Sequence, residues 1–365
     1  MRRISTRHAR SGMVLTRAVY DHRGYQLLES GLELTRKSLI TLTKNRVGEL
    51  FVEDRRLADA SVHPAISPEF EAEAARSLVG VISDAETTGC INEILIRDAE
   101  ACVYKMVREL FPEMLGEGNL SGCLSFEDYD YALPAKTASL SLLIGRKTGY
   151  GMMDLPNLGM AALLMNLGYC QIRSSILQYP DSLMEKVSQE IPRHPDNGAR
   201  LLDQLGSFSP DVIRAVEEHH ERWDGSGYPA RLKGSEISPF ARIIAIADTY
   251  FELVSNRPGK PACMPHEAVE FILAGCGELF DPDLTQIFVR LVPVYPAGTA
   301  VKLNTGELGI VSDGNSGHIA RPVIRICTER RVGVVAKPYD LDLSESRNQA
   351  RMIVEVDPSM PLDER

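Results

Sequence analysis

Over the first 55 residues, short apolar runs alternate with turns: Met13-Val14-Leu15, Val19-Tyr20, Gln26-Leu27-Leu28 and Glu49-Leu50-Phe51-Val52, with Asp21-His22-Arg23-Gly24 between two of them. Runs this short, bounded by turn residues, predict strands. Leu39, Ile40 and Leu42 within Ser38 to Asn45 predict a short helix before the last strand. Residues 1–60 are therefore expected to form a small β module with one helix, a unit for packing or dimerisation. Pro64 and Pro68 mark a linker, after which Leu78, Val79, Ile82, Ile94, Leu95, Val103, Met106, Val107 and Leu110 recur at helical spacing. Residues 61–120 thus read as a helical connector, either a relay or a spacer. From 121 to 295 the chain is a series of amphipathic helices punctuated by Pro and Gly. Beyond it Ala300-Leu303, Gly309-Val311, Val323-Ile326 and Val332-Val335 restore the strand pattern, giving a second small β module over 296–365. The expected class is mainly α with β modules at both ends, α+β overall.

At 365 residues the chain has room for two or three folded units. No apolar run nears the roughly 18 residues of a membrane span, and Met1 to Leu15 carries charge where a signal peptide needs an apolar stretch. The expected location is the cytoplasm. Cysteines at 90, 102, 123, 170, 263, 276 and 327 form neither a CxxC pair nor a disulfide framework, so reduced thiols are expected. A net charge of −10 disfavours broad contact with nucleic acid, which depends on a basic surface.

The chemistry concentrates in one run, His219-His220-Glu221-Arg222-Trp223-Asp224-Gly225-Ser226-Gly227-Tyr228-Pro229. Ser209-Pro210-Asp211 supplies an N-cap, a proline in the first turn and an acid, so a helix is predicted from about 210 to 221. Val212, Ile213 and Val216 share a face that His219 and His220 extend, which points both imidazoles inward. Two neighbouring buried histidines repel if protonated, and a divalent metal relieves that conflict because it takes neutral imidazole. Ser238-Pro239 starts another predicted helix in which Asp248 is the one acid among Ile243, Ile244, Ile246, Ala247, Phe251 and Val254. Such a carboxylate needs an arginine, hydrogen bonds or a metal. His194, before Pro195, stands at a helix start, where histidine commonly caps.

The run resembles the HHExxDGxGYP signature of HD-GYP domains, bacterial metal-dependent phosphodiesterases that open cyclic di-GMP. Two further stretches match in the same order: His194-Pro195-Asp196-Asn197-Gly198 is similar to the family's HPxxG element, and Ala241 to Asp248 reads "ARIIAIAD" as family members do. The resemblance covers about 121–295 and implies an HD-type helical bundle with His194, His219, His220 and Asp248 as metal ligands. It also implies substrate contacts from Arg257 and Lys260, in a segment similar to the family's DRPYR, and from Gly227, Tyr228 and Pro229. One part departs. Where members carry a His-Asp pair, this sequence has Met165-Asn166. Tyr169 stands at the family's lysine, and Leu133 at an upstream histidine. A thioether is a poor ligand for hard or borderline metals, and an amide lacks the charge of a bridging carboxylate.

The expectation is a signalling protein that binds cyclic di-GMP, a related nucleotide or a partner protein with little or no hydrolysis. It would hold one divalent ion (Fe, Mn or Zn) or none, and a homodimer is a further expectation. Two rivals stand beside it. The first is a phosphodiesterase with a reduced metal centre, helped by Asp154, Glu127, Asp128 or Asp130. The second is a metal-free scaffold resembling HDOD domains.

Overall fold

A computed structural model describes residues 1–57, 64–111, 131–172, 190–255, 261–315, 318, 320–329 and 333–356. The N-terminal module pairs β1 (Arg2–Ser5) antiparallel with β4 (Glu49–Val52), and β2 (Val19–Tyr20) with β3 (Gln26–Leu28). The helix α1 (Arg36–Lys44) begins on a reciprocal cap between Thr35 and Ser38. Leu15, Leu34, Leu42 and Leu50 fill its small core. Met13 to Leu15 forms isolated bridges rather than a strand, and β1 is an element that its two leading arginines concealed.

Next come α2 (Pro68–Thr88) and α3 (Glu93–Glu109), joined through Gly89 in the left-handed region. The stretch expected as a connector is not a free spacer. Ala74, Leu78, Val81, Val103 and Met106 belong to the same apolar core as the helices that follow. The centre of that core is α4 (Ala132–Thr148), whose residues from Ala132 to Gly145 are all buried and which touches α2, α5 (Leu155–Leu164), α8 (Pro239–Val254) and α10 (Pro282–Leu291). The remaining helices are α6 (His194–Leu205), α7 (Pro210–Glu218) and α9 (Pro265–Ala274). None of the described helices is long and apolar enough to cross a membrane.

The C-terminal module is a five-stranded antiparallel sheet in the order β8-β7-β6-β5-β9, from β5 (Ala300–Leu303), β6 (Leu308–Asp313), β7 (Val323–Glu329), β8 (Gly333–Asp342) and β9 (Ile353–Val356). Four of these strands lie where the apolar runs predict them. The structure adds β9, on the edge beside β5. The overall class, a helical bundle flanked by small sheets, is the expected one.

Candidate metal centre

Three local decisions bring the histidines together. The helix α7 ends at Glu218 with His219 as its C-cap, shorter than the periodicity suggests, because the Asp224-to-Gly227 turns that follow need a chain already free of the helix. Gly225 has φ +83°, which glycine adopts without steric cost. Gly227 lies against backbone, since a Cβ there would sit 2.5 Å from the His220 carbonyl oxygen. His194 opens α6, and the short 3-10 helix Leu167–Gln171 packs on that opening turn. The close approach depends on Gly168, where an added Cβ would lie 1.9 Å from the His194 carbonyl oxygen.

The resulting cluster has the ligand nitrogens of His194, His219 and His220 all within 4.8 Å of one another. His194 and His219 are fully buried, and His220 is half-buried. Tyr169 stacks on His194 with centroids 4.0 Å apart, and Tyr228 stacks on His220 at 4.8 Å. The imidazoles thus stand between two tyrosine rings.

Tautomers follow from the hydrogen bonds. His194 Nδ1 lies 2.7 Å from the Ile191 carbonyl and His219 Nδ1 lies 2.7 Å from that of Val216. A carbonyl only accepts, so both Nδ1 atoms must carry the proton. Both Nε2 atoms then hold lone pairs, and they face each other at 3.2 Å. A second proton on one ring would turn this contact into a hydrogen bond, but burial pushes the pKa of His194 down to about 4 and that of His219 to about 3. Burial and the neighbouring His219 also lower that of His220. At neutral pH two lone pairs therefore point at one spot, which a cation relieves. Two nitrogens bound to one tetrahedral ion lie roughly 3.3 Å apart, so the residues fit a metal.

Glu221 is buried and accepts from the backbone N–H groups of Ala230 (2.7 Å), Arg231 (2.9 Å) and Leu232 (3.1 Å), so it clamps the chain that carries Tyr228 and Pro229. Glu218, also buried, accepts from Ser238 N at 2.6 Å and anchors the start of α8. Asp248 is buried on α8. It lies outside the three-imidazole set, but its charge reaches the Tyr228 phenol. Burial, Glu252 and Asp248 together raise the pKa of that phenol. Glu252, one turn beyond Asp248, also acts on His194. The sequence marks Glu252 only by its i+4 spacing from Asp248.

Met165 is buried in the apolar core, as is Leu133. Asp154 is exposed before α5 and stays apart from the cluster. Arg257, Lys260, Glu127, Asp128 and Asp130 lie outside the described residues.

A family model described as "HD domain" matches residues 113–284. Over this part the chain is similar to HD domains. Its run from His219 to Pro229 resembles the HD-GYP signature. A cyclic di-GMP phosphodiesterase of Pseudomonas aeruginosa is 30% identical over 232 residues, 62% of this chain and 55% of that protein. A cyclic di-GMP phosphodiesterase response regulator of Xanthomonas campestris is 36% identical over 149 residues, 40% of this chain and 39% of its own length. A 3'3'-cGAMP-specific phosphodiesterase of Vibrio cholerae is 32% identical over 131 residues, 36% of this chain and 25% of that protein. The chain thus spans about half or less of the length of these relatives. The fold brings the three histidines of the expected site together.

Proposed function

We propose that the HD domain of this chain binds a cyclic dinucleotide beside a single divalent ion held by His194, His219 and His220, and acts in signalling with little or no hydrolysis. The observation that carries this reading is the pair of lone-pair-bearing nitrogens 3.2 Å apart, in a chain with Met165-Asn166 where the resemblance implies a His-Asp pair. A bound ion would polarise a phosphate oxygen as a Lewis acid. Phosphodiester displacement gains much of its rate from charge on both the entering and the leaving oxygen. Three neutral imidazoles supply ligands for one ion and no bridging charge for a second. Iron, manganese and zinc all suit imidazole.

Metal analysis of the purified protein should give about one equivalent, lost in His219→Ala. Calorimetry with cyclic di-GMP should then show binding, with turnover near background. Absence of binding to any cyclic dinucleotide, with or without added metal, would reject the reading. The names of the relatives support the rival, a phosphodiesterase with a reduced centre. Turnover that His219→Ala abolishes would establish it. A metal-free scaffold fits less well, because opposed buried lone pairs cost free energy when nothing sits between them.

A further inference from the structure

The N-terminal β module rests on the helical bundle through a polar seam. Gly24, with φ +79°, closes the turn that starts at Asp21, and a Cβ there would lie 1.9 Å from the Ala72 carbonyl oxygen of α2. The two backbones are in direct contact. Around them the Arg76 guanidinium of α2 lies 5.8 Å from the Tyr25 ring centroid, and the His22 and Tyr131 rings stand 6.3 Å apart. Arg17, whose guanidinium covers the Phe51 ring at 4.5 Å, faces Glu71 and Glu69 in the first turn of α2. Glu71 in turn faces Lys136 of α4 and Glu109 of α3. Charges held partly out of water recover little of their desolvation cost, and the apolar core of the module is separate from that of the bundle. Such a seam opens more readily than either core.

The helix under the seam also reaches the metal centre. Ala72, Ala74, Ala75 and Ala85 are among the buried residues of α2, and a face of small side chains lets a helix slide as a body when its neighbour moves. α2 packs on the Leu167–Gln171 turn, where Glu86, near its C-terminus, acts on the Cys170 thiol. Ala72 and Glu86 are about 21 Å apart along the helix axis. The turn they lead to is the one whose Gly168 abuts His194 and whose Tyr169 stacks on it. One continuous helix thus touches both the docked module and the support of a metal-ligating histidine.

We propose that α2 is a lever: docking of the N-terminal module on its first turns holds the Leu167–Gln171 turn against His194, and release of the module lets that turn withdraw and loosens the imidazole cluster. The two-state element is the seam, docked or released, and anything that binds one state better shifts the balance by that difference in affinity. The module does not move alone. Leu57 shares an apolar cluster with Ala300, Ile310 and Cys327 of the C-terminal sheet, so a binder on either β module biases the same seam.

The test is hydrogen exchange on the full-length protein, with the rate of metal loss to EDTA measured beside it. Gly24→Ala drives a Cβ into the Ala72 carbonyl, whereas Gly31→Ala, at φ +81° with nothing within 4 Å of the added Cβ, carries similar backbone strain without the clash and is the control. Gly24→Ala should raise exchange roughly fivefold in residues 167–171 and at the start of α6, and speed metal loss about threefold. Gly31→Ala should do neither. Arg17→Met keeps an aliphatic stem over Phe51 and removes the charge that faces Glu71, so it should act in the same direction, and it decides the matter if Gly24→Ala does not fold. Faster exchange confined to the N-terminal module and the first turns of α2, or an equal rise at 167–171 in Gly31→Ala, would overturn the lever. Unchanged metal loss in a loaded protein whose 167–171 exchange has risen would overturn its link to the imidazoles. The exchange readout does not need the ion, so a protein that binds no metal would reject the metal reading and leave the lever to be decided at 167–171.

Discussion

Gly168 leaves no room for a side chain, and the metal centre depends on that. An alanine Cβ would lie 1.9 Å from the His194 carbonyl oxygen and 2.6 Å from Gly198 N, so the Leu167–Gln171 turn and the start of α6 would have to separate. Gly168→Ala is expected to cost about 3 kcal/mol and to lower metal content, read by thermal denaturation and metal analysis. A second expectation concerns Cys170, two residues on. Burial pushes its thiol up to about 11, and only the thiolate reacts, so at pH 8 its alkylation should lag well behind that of the exposed Cys90 and Cys276. Mass spectrometry of iodoacetamide-treated protein would check this, and equal rates would refute it. The histidines were legible in the sequence because a helix face and a signature both marked them. The stacking of Tyr169 on His194 was not, since it joins residues 25 apart through a glycine contact that no local pattern encodes.

Helix ends, more than helix middles, build the site. His219 caps α7, His194 opens α6, and Glu218 and Glu221 use their carboxylates to tie the next segments to that junction. The start of α8 and the start of α7 were readable from Ser-Pro pairs, because a proline in the first helical turn loses no hydrogen bond. The end of α7 was not, since the apolar stripe runs on past the point where the chain turns. Glu221 shows how much one side chain holds there. Glu221→Ala would leave the N–H groups of Ala230, Arg231 and Leu232 without their acceptor. With water able to reach some of them, the expected loss is about 2–3 kcal/mol, measured as a lower denaturation midpoint. Glu221→Gln, which keeps one acceptor oxygen, should lose less.

The two β modules, at opposite ends of the described sequence, pack on each other. Leu57 shares an apolar cluster with Ala300, Ile310 and Cys327. Arg325 Nη1 donates to the Arg56 carbonyl at 2.7 Å, and Arg3 N donates to that of Gly298 at 3.0 Å. The helical bundle is thus bracketed by one joined β unit, and not by two separate appendages. Leu57→Ala should cost about 3 kcal/mol through the cavity it leaves. Hydrogen exchange should rise in β5, β6 and β7 as well as around residue 57. Exchange confined to the N-terminal module would contradict this coupling.

Local periodicity, turn residues and one signature were sufficient to determine the kinds of element along this chain, the order of its modules and the three imidazoles, because each of those is written in neighbouring residues. Tertiary structure alone decided which nitrogens face one another, that the Asp21-to-Gly24 turn lies against α2, and that the terminal sheets meet. Those relations depend on close approaches between distant segments, and such approaches are set by packing complementarity that no short window of sequence contains.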